Sequence, residues 1–203
     1  VWNKLIMSGD IVKEIFKNAF RSKEYTFFEK GNLNLNIIGV RMGKKATNSF
    51  DDYLYVVYKV DGNWEYREYR ITTDAGAYWL KNPMNNKGTA ILKPNQYRGA
   101  WSIGKHQGKY LSLVQSKEVE VYRDNNKDMI LDYSETTLDK GFFGINIHKS
   151  NPNKESYNVD KWSAGCQVFK KADDFDSFMD LCEAASFEWS NSFTYTLIES
   201  NDI

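Results

Sequence analysis

Across 203 residues the chain has two cysteines, two histidines and three prolines. Two cysteines are too few for a disulfide scaffold, in which several bridges staple a small loop-rich fold. Net charge is also missing: 27 basic residues balance 27 acidic ones, so no global field draws the protein to nucleic acid or to an anionic membrane. No apolar run approaches the roughly 18 residues of a membrane-spanning helix, and no repeat, low-complexity tract or linker is visible. No secretory leader pattern is legible. Because the chain opens on Val1 rather than Met, a leader lost by processing stays among the expectations.

What the chain does have is a globular balance, 41% hydrophobic and 27% charged, with length for one domain or a domain plus an extension. Aromatics reach 15%, which suits a β-rich scaffold and a groove for a flexible polymer. Residues 10–20 place Ile11, Val12, Ile15, Phe16, Ala19 and Phe20 on one helical face with Asp10 as N-cap. Strands are expected at 33–40, 53–60, 64–71, 89–93, 110–115, 118–123, 142–148, 166–169 and 193–199, with a hairpin turn at Asp61-Gly62-Asn63. A second amphipathic helix covers 173–185. There Cys182 falls in register with Phe175, Phe178 and Met179 and reads as a small buried hydrophobe. Residues 1–70 form a unit that caps the rest or is integral to it, and 71–203 carry the chemistry.

That chemistry concentrates in Gly144–Phe169, which holds His148 and Cys166. A free thiol is mostly protonated at neutral pH and needs a base to become a good nucleophile. Histidine is the usual one. An acyl intermediate also needs donors for its oxyanion, often backbone amides in a tight turn. Ser163-Ala164-Gly165-Cys166 supplies such a turn, with Gly165 free to take angles closed to other residues. A strand ending at His148 and another starting at Cys166 can bring the pair together, with polar residues 149–165 as an exposed rim. On residue types alone, a buried cysteine and a surface histidine remain the competing reading.

The spacing His148-x17-Cys166, with Ser163-x-Gly165-Cys166 at its end and Val168 two places on, resembles the signature of L,D-transpeptidases, the YkuD-like catalytic domain. The resemblance is strong over Gly141–Lys170 and loose from residue 72 onward. It implies a mainly β, α+β fold: an antiparallel sheet or sandwich of the L,D-transpeptidase type with a helix near each end. It also implies acyl transfer on peptidoglycan stem peptides, with Cys166 as nucleophile, His148 as base, Ser163 and Gly165 shaping the turn, and the Gly165 and Cys166 amides as oxyanion donors. No cofactor is required by that chemistry. The chain departs from the pattern at Lys149 (usually Gly), at Ala164 (often His or another polar residue), and at Gln167 and Phe169, where an Arg commonly follows. The acceptor therefore stays open between an amine and water.

Several other residues are candidates. His106, in Gly104-Lys105-His106-Gln107-Gly108, is a substrate-cleft candidate, although a solvated turn histidine is the leading expectation. Trp162 and Lys149 are further substrate-binding candidates, and Tyr78, Trp79 and Tyr97 can stack on sugar or peptide. Asp124, Asn126, Asp128, Asp132 and Glu135 fall at positions 1, 3, 5, 9 and 12 of a calcium loop. Met129 stands where Gly is usual, so a polar turn is the leading expectation and Ca2+ the lesser one. The partners expected are peptidoglycan or its stem peptides, with no nucleic acid and no membrane span, at a bacterial cell envelope or associated with phage. The rival readings are a peptidoglycan hydrolase or lysin using the same residues, a peptidase or amidase for another substrate, and a non-catalytic wall-binding or virion protein.

Overall fold

A computed structural model describes residues 7–43 and 48–203. Among the described residues are three α-helices and eleven strands: α1 (Gly9–Ser22), β1 (Asn36–Arg41), β2 (Asp52–Val60), β3 (Asn63–Thr72), α2 (Ala77–Lys81), β4 (Thr89–Leu92), β5 (Asn95–His106), β6 (Tyr110–Gln115), β7 (Val119–Asp124), β8 (Asp139–Gly141), β9 (Ile147–Lys149), β10 (Gln167–Phe169), α3 (Ala172–Glu188) and β11 (Phe193–Glu199). Residues 1–6 and 44–47, which fall in the expected 1–70 unit, lie outside the described residues.

Eight strands close into a barrel in the order β1-β11-β5-β6-β9-β10-β3-β2, and β4-β7-β8 form a separate three-stranded sheet. The expected mainly β, largely antiparallel architecture is present, with a helix near each end, but as a closed barrel rather than an open sheet or sandwich. Two parallel pairings distinguish it, β1 with β11 and β9 with β10. The first joins the amino-terminal strands to the last strand. The barrel closes through the short β9 and β10, which pair β6 at Leu113 and β3 at Ile71 and Thr72. Strands β1 to β3 are staves of the same barrel as β5, β6 and β9 to β11.

Period-2 patterning accounts for the interior. Ile37, Leu54, Ile71, Trp101, Leu113, Ile147, Phe169, Tyr195 and Leu197 point into one core, which Phe175, Phe178 and Cys182 of α3 complete. Helix α1 covers the outer face of β1 and β2, packing Val12, Phe16 and Phe20 on Ile38, Val40 and Val57. For that reason β1 is buried along its whole length. Gly39 is required there, since a Cβ would lie 1.9 Å from the Tyr195 hydroxyl. The helix starts two residues earlier than expected. Ser8, not Asp10, is the N-cap, its hydroxyl accepting from the Ile11 amide at 3.4 Å. Ile11 is exposed.

The Asp61-Gly62 hairpin forms as expected, with φ of 49° and 83°. The long β5 has no clean alternation: its glycines, Gln96, Arg98 and Lys105 hide it in the sequence. The expected strand at 142–148 shrinks to β9, because Gly144 turns the chain with φ of 68°. No helix among the described residues is long and apolar enough to cross a membrane.

Candidate active site

Strands β9 and β10 run parallel with Val168 opposite His148 and Gln167 opposite Ile147, and the Gln167 amide donates to the Asn146 carbonyl at 2.9 Å. Side chains alternate across a strand. Ile147, Gln167 and Phe169 therefore turn inward, while Asn146, His148, Cys166 and Val168 share the outer face. The structure thus brings Cys166 and His148 to one face of adjacent strands.

The thiol of Cys166 donates to the Gly144 carbonyl at 3.3 Å, and the Asn146 amide donates to its sulfur at 3.4 Å. The residue is only part-exposed. Crowding around the sulfur pushes the thiol up to about 11, against the opposing effect of the Asn146 amide. His148 is 4% exposed. Its Nδ1 lies 2.8 Å from the Lys149 carbonyl oxygen. A carbonyl can only accept, so Nδ1 carries the proton and Nε2 keeps the lone pair a base needs. Burial, then the neighbouring His106, push His148 down to about 3, although the carbonyl bond acts the other way. The imidazole is neutral at physiological pH. The Cys166 sulfur and the His148 ring make no hydrogen bond to each other. The resting thiol is turned to Gly144.

His106 is buried rather than solvated, which corrects the leading expectation for it. It stacks on His148 with ring centroids 4.0 Å apart and planes 19° apart. Its Nδ1 is 3.0 Å from the Asn146 amide nitrogen. Asn146 Oδ1 is already committed to the Gln115 amide at 3.0 Å, so the Asn146 NH2 faces the ring and His106 carries its proton on Nε2. Burial, then the charge of Lys109, lower the His106 pKa. Tyr110 closes the group: its hydroxyl donates to the Lys149 carbonyl at 3.3 Å and lies 3.5 Å from His148 Nδ1. Asn146 and Tyr110 were not singled out in the sequence. Asn146 was findable, because two residues before a strand histidine means the same face.

The turn before Cys166 is held by Ser163. Its hydroxyl donates to the Cys166 carbonyl at 2.8 Å and accepts from the Gly165 amide at 3.1 Å. Its carbonyl accepts from Gly76 at 2.9 Å. Ser163 therefore orders the turn and does not face a substrate. The Gly165 amide is occupied by that bond, while the Cys166 amide has no acceptor among the described residues. Gly165 takes φ of 126°, and a Cβ there would sit 2.5 Å from the Ala90 carbonyl oxygen. Gln167, on the inward side, accepts from the Tyr195 hydroxyl at 2.9 Å and donates to the Thr73 carbonyl at 3.3 Å.

That carbonyl belongs to a buried charge cluster. Arg41 donates to Thr73 Oγ1, the Thr73 carbonyl and the Leu92 carbonyl, each at 3.0 Å. Asp52 accepts from the Thr73 amide and hydroxyl at 2.8 Å. Asp74 Oδ1 lies 3.0 Å from Arg41 Nε. The single Nε proton is aimed at Thr73, so this last contact is ionic without an aligned hydrogen bond. Burial raises Asp74 to about 7, with Arg41 opposing and Asp52 adding to the shift.

The remaining candidates separate. Lys149 pairs with Asp176 at 2.8 Å and lies over Tyr110 and Phe175, so it is committed to α3. Trp162 is 39% exposed, but the cavity of about 270 Å³ beside the turn takes its wall from Trp79 instead. Tyr97 is core, its hydroxyl bonded to the Lys93 carbonyl, and Tyr78 is exposed. In the acidic loop, Asn126 donates to Asp128 at 3.0 Å and Asp132 at 2.6 Å, while Asp124 accepts from the Asp132 amide. Met129 adopts φ of 65° without glycine. Glu135 turns away to Lys93 at 2.9 Å. Among the described residues no group of three or more His, Cys, Asp or Glu side chains is arranged to hold a metal ion.

Set against known proteins, the chain matches no family model, no curated protein and no solved structure. The likeness to L,D-transpeptidases rests on the motif alone.

Proposed function

We propose that the protein is a cysteine acyltransferase of the L,D-transpeptidase kind, acting on peptidoglycan stem peptides at the bacterial envelope or from phage. The observation that carries this is the tautomer of His148. Its Nδ1 proton is spent on the Lys149 carbonyl at 2.8 Å, which leaves Nε2 as a base on the same face as Cys166. In the reaction the thiol leaves the Gly144 carbonyl and gives its proton to Nε2 as sulfur attacks a peptide carbonyl. The Cys166 amide donates to the oxyanion. The tetrahedral adduct collapses to a thioester as the imidazolium returns the proton to the departing amine. A second amine completes a transpeptidation, and water completes a hydrolysis. Catalytic bonds that are long at rest and tighten with substrate are usual for such pairs.

One observation favours a second reading, a non-catalytic wall-binding protein that retains the site. The resting thiol is raised to about 11 and bonded to a backbone carbonyl instead of to histidine. Mass spectrometry of stem-peptide fragments incubated with wild type, Cys166→Ala and His148→Gln separates the readings. Acyl transfer predicts a thioester adduct on Cys166 and new cross-linked or shortened peptides, lost in both variants. Identical spectra for all three proteins, with wall binding intact, would leave only the binding reading.

A further inference from the structure

Built from backbone alone, the oxyanion site is one donor short. Acyl-transfer sites commonly aim two N–H groups at the oxyanion. Here the Gly165 amide is spent on the Ser163 hydroxyl at 3.1 Å, which leaves the Cys166 amide. The other donors nearby are committed as well. The Asn146 backbone amide is on the sulfur at 3.4 Å, the Gln167 amide on the Asn146 carbonyl at 2.9 Å, and the Tyr110 hydroxyl on the Lys149 carbonyl at 3.3 Å. The oxyanion forms on the carbon that sulfur attacks, so a second donor has to stand beside the sulfur on a side chain.

Asn146 is in that place. In the parallel β9–β10 pair Val168 stands opposite His148 and Gln167 opposite Ile147. One residue earlier, the same register sets Cys166 opposite Asn146. Paired strands lie about 4.8 Å apart and opposed residues share a face, and the Asn146 amide on Sγ shows the closeness directly. Both residues are part-exposed, so a substrate carbonyl can reach them. The Asn146 side chain is held at both ends. Its Oδ1 accepts from the Gln115 amide at 3.0 Å, and its Nδ2 donates to His106 Nδ1 at 3.0 Å. A side-chain amide has two N–H donors. One is spent on His106, and the other has no acceptor among the described residues. The amide is therefore fixed before substrate arrives, the condition under which a donor costs no reorganisation as charge develops. His106 is itself buried and stacked on His148, so the acceptor that aims the amide is also held.

We infer that Asn146 is a catalytic residue whose free Nδ2–H is the second oxyanion donor, beside the Cys166 amide, and that His106 is the positioning residue that aims it. This rests on the acyl-transfer reading. As the Cys166 sulfur bonds to the carbonyl carbon, the C=O π pair moves onto oxygen and the thiol proton goes to His148 Nε2. The oxyanion accepts from the Cys166 amide and from Asn146 Nδ2. When the pair returns, the C–N bond breaks and the imidazolium proton leaves with the amine. Both oxyanion donors keep their protons throughout.

Two thiol reagents separate this role from a structural one. 4-Nitrophenyl acetate acylates a thiol through a tetrahedral oxyanion. Iodoacetamide alkylates it by displacing iodide, and no oxyanion forms. Both rates are measured at Cys166 in the full chain, at one pH, by peptide mass spectrometry. A change in fold, access or thiolate fraction moves both rates, whereas loss of an oxyanion donor moves acylation alone. Asn146→Asp keeps an acceptor for the Gln115 amide and removes the donor. Its ratio of acylation to alkylation should fall about 10²–10³-fold. Asn146→Ala should show a similar fall, with its melting temperature as the control for folding. His106→Phe keeps a ring against His148 but removes the acceptor, and should lower the ratio by less. An unchanged ratio in both Asn146 variants, with wild type acylated, overturns the inference and leaves acyl transfer standing. A full fall in His106→Phe with none in Asn146→Asp also overturns it, since the donor would then be His106 Nε2–H. A wild-type thiol that alkylates but never forms the acetyl thioester sinks acyl transfer, and the inference with it.

Discussion

The pH dependence of Cys166 alkylation follows directly from where its sulfur sits. With the thiol pushed up to about 11, only about one molecule in 10⁴ is thiolate at pH 7. A free cysteine near pKa 8.5 has roughly 300 times more. Labelling with iodoacetamide, quenched at intervals and read by peptide mass spectrometry, should therefore be slow at pH 7. It should climb close to tenfold per pH unit through pH 10. Cys182 is fully buried, with burial first and then Glu183 raising its thiol well above the ordinary range, and should stay unlabelled until the protein unfolds. Because no hydrogen bond joins sulfur to imidazole, His148→Gln should leave the labelling profile of the resting protein unchanged while abolishing turnover. A Cys166 rate that levels off below pH 8, and drops in His148→Gln, would refute this reasoning. It would mean a thiolate–imidazolium pair at rest, with His148 charged.

Other perturbations test the scaffold. Gly165→Ala forces a Cβ onto the Ala90 carbonyl oxygen at a φ of 126°. A loss of about 2 kcal/mol or more in urea unfolding, with activity gone, is expected. Ser163→Ala removes both hydroxyl bonds that hold the turn and should cost about 1–3 kcal/mol by the same measurement. Arg41→Met leaves the buried carboxylates of Asp52 and Asp74 without their cation and should cost about 3–5 kcal/mol at pH 7.5. Asp74 makes a signed prediction. Its folded pKa, near 7, lies above the unfolded value of about 3.9, so the folded state holds an extra proton between those pH values. Its contribution favours folding below pH 4 and fades as pH rises toward 7, by an amount on the order of 4 kcal/mol. Urea midpoints at pH 4.5 and 7.5 for wild type and Asp74→Asn should differ by this slope, and parallel curves would exclude it.

Much of the barrel is written locally. The Asp61-Gly62 turn requires two positive φ angles, and β2 and β3 on either side are rich in aromatic and β-branched residues. The helix α3 carries a continuous apolar face. β5 is not legible, because its pairing with β6 and β11 stabilises it, not its own composition. The 142–148 segment reads as a strand by residue type, yet a positive φ at Gly144 ends it and turns Gly144 O toward the sulfur.

The site divides in the same way. That Cys166 and His148 are the reactive pair to consider, and that the turn before the cysteine needs glycine, follow from residue types and spacing. The even offset between Asn146 and His148 puts them on one strand face for the same reason. The sequence by itself determined a β-rich chain with one candidate nucleophile, one candidate base and a constrained turn, since these depend on local backbone preference and side-chain chemistry. Only the tertiary structure decided that the sheet closes through a parallel β1–β11 pairing. It also stacked His106 on His148, committed Lys149 to Asp176, and set Arg123 from a distant strand beside the cysteine turn. Each of these depends on which elements become neighbours, and no local pattern encodes a contact between residues 27 or more positions apart.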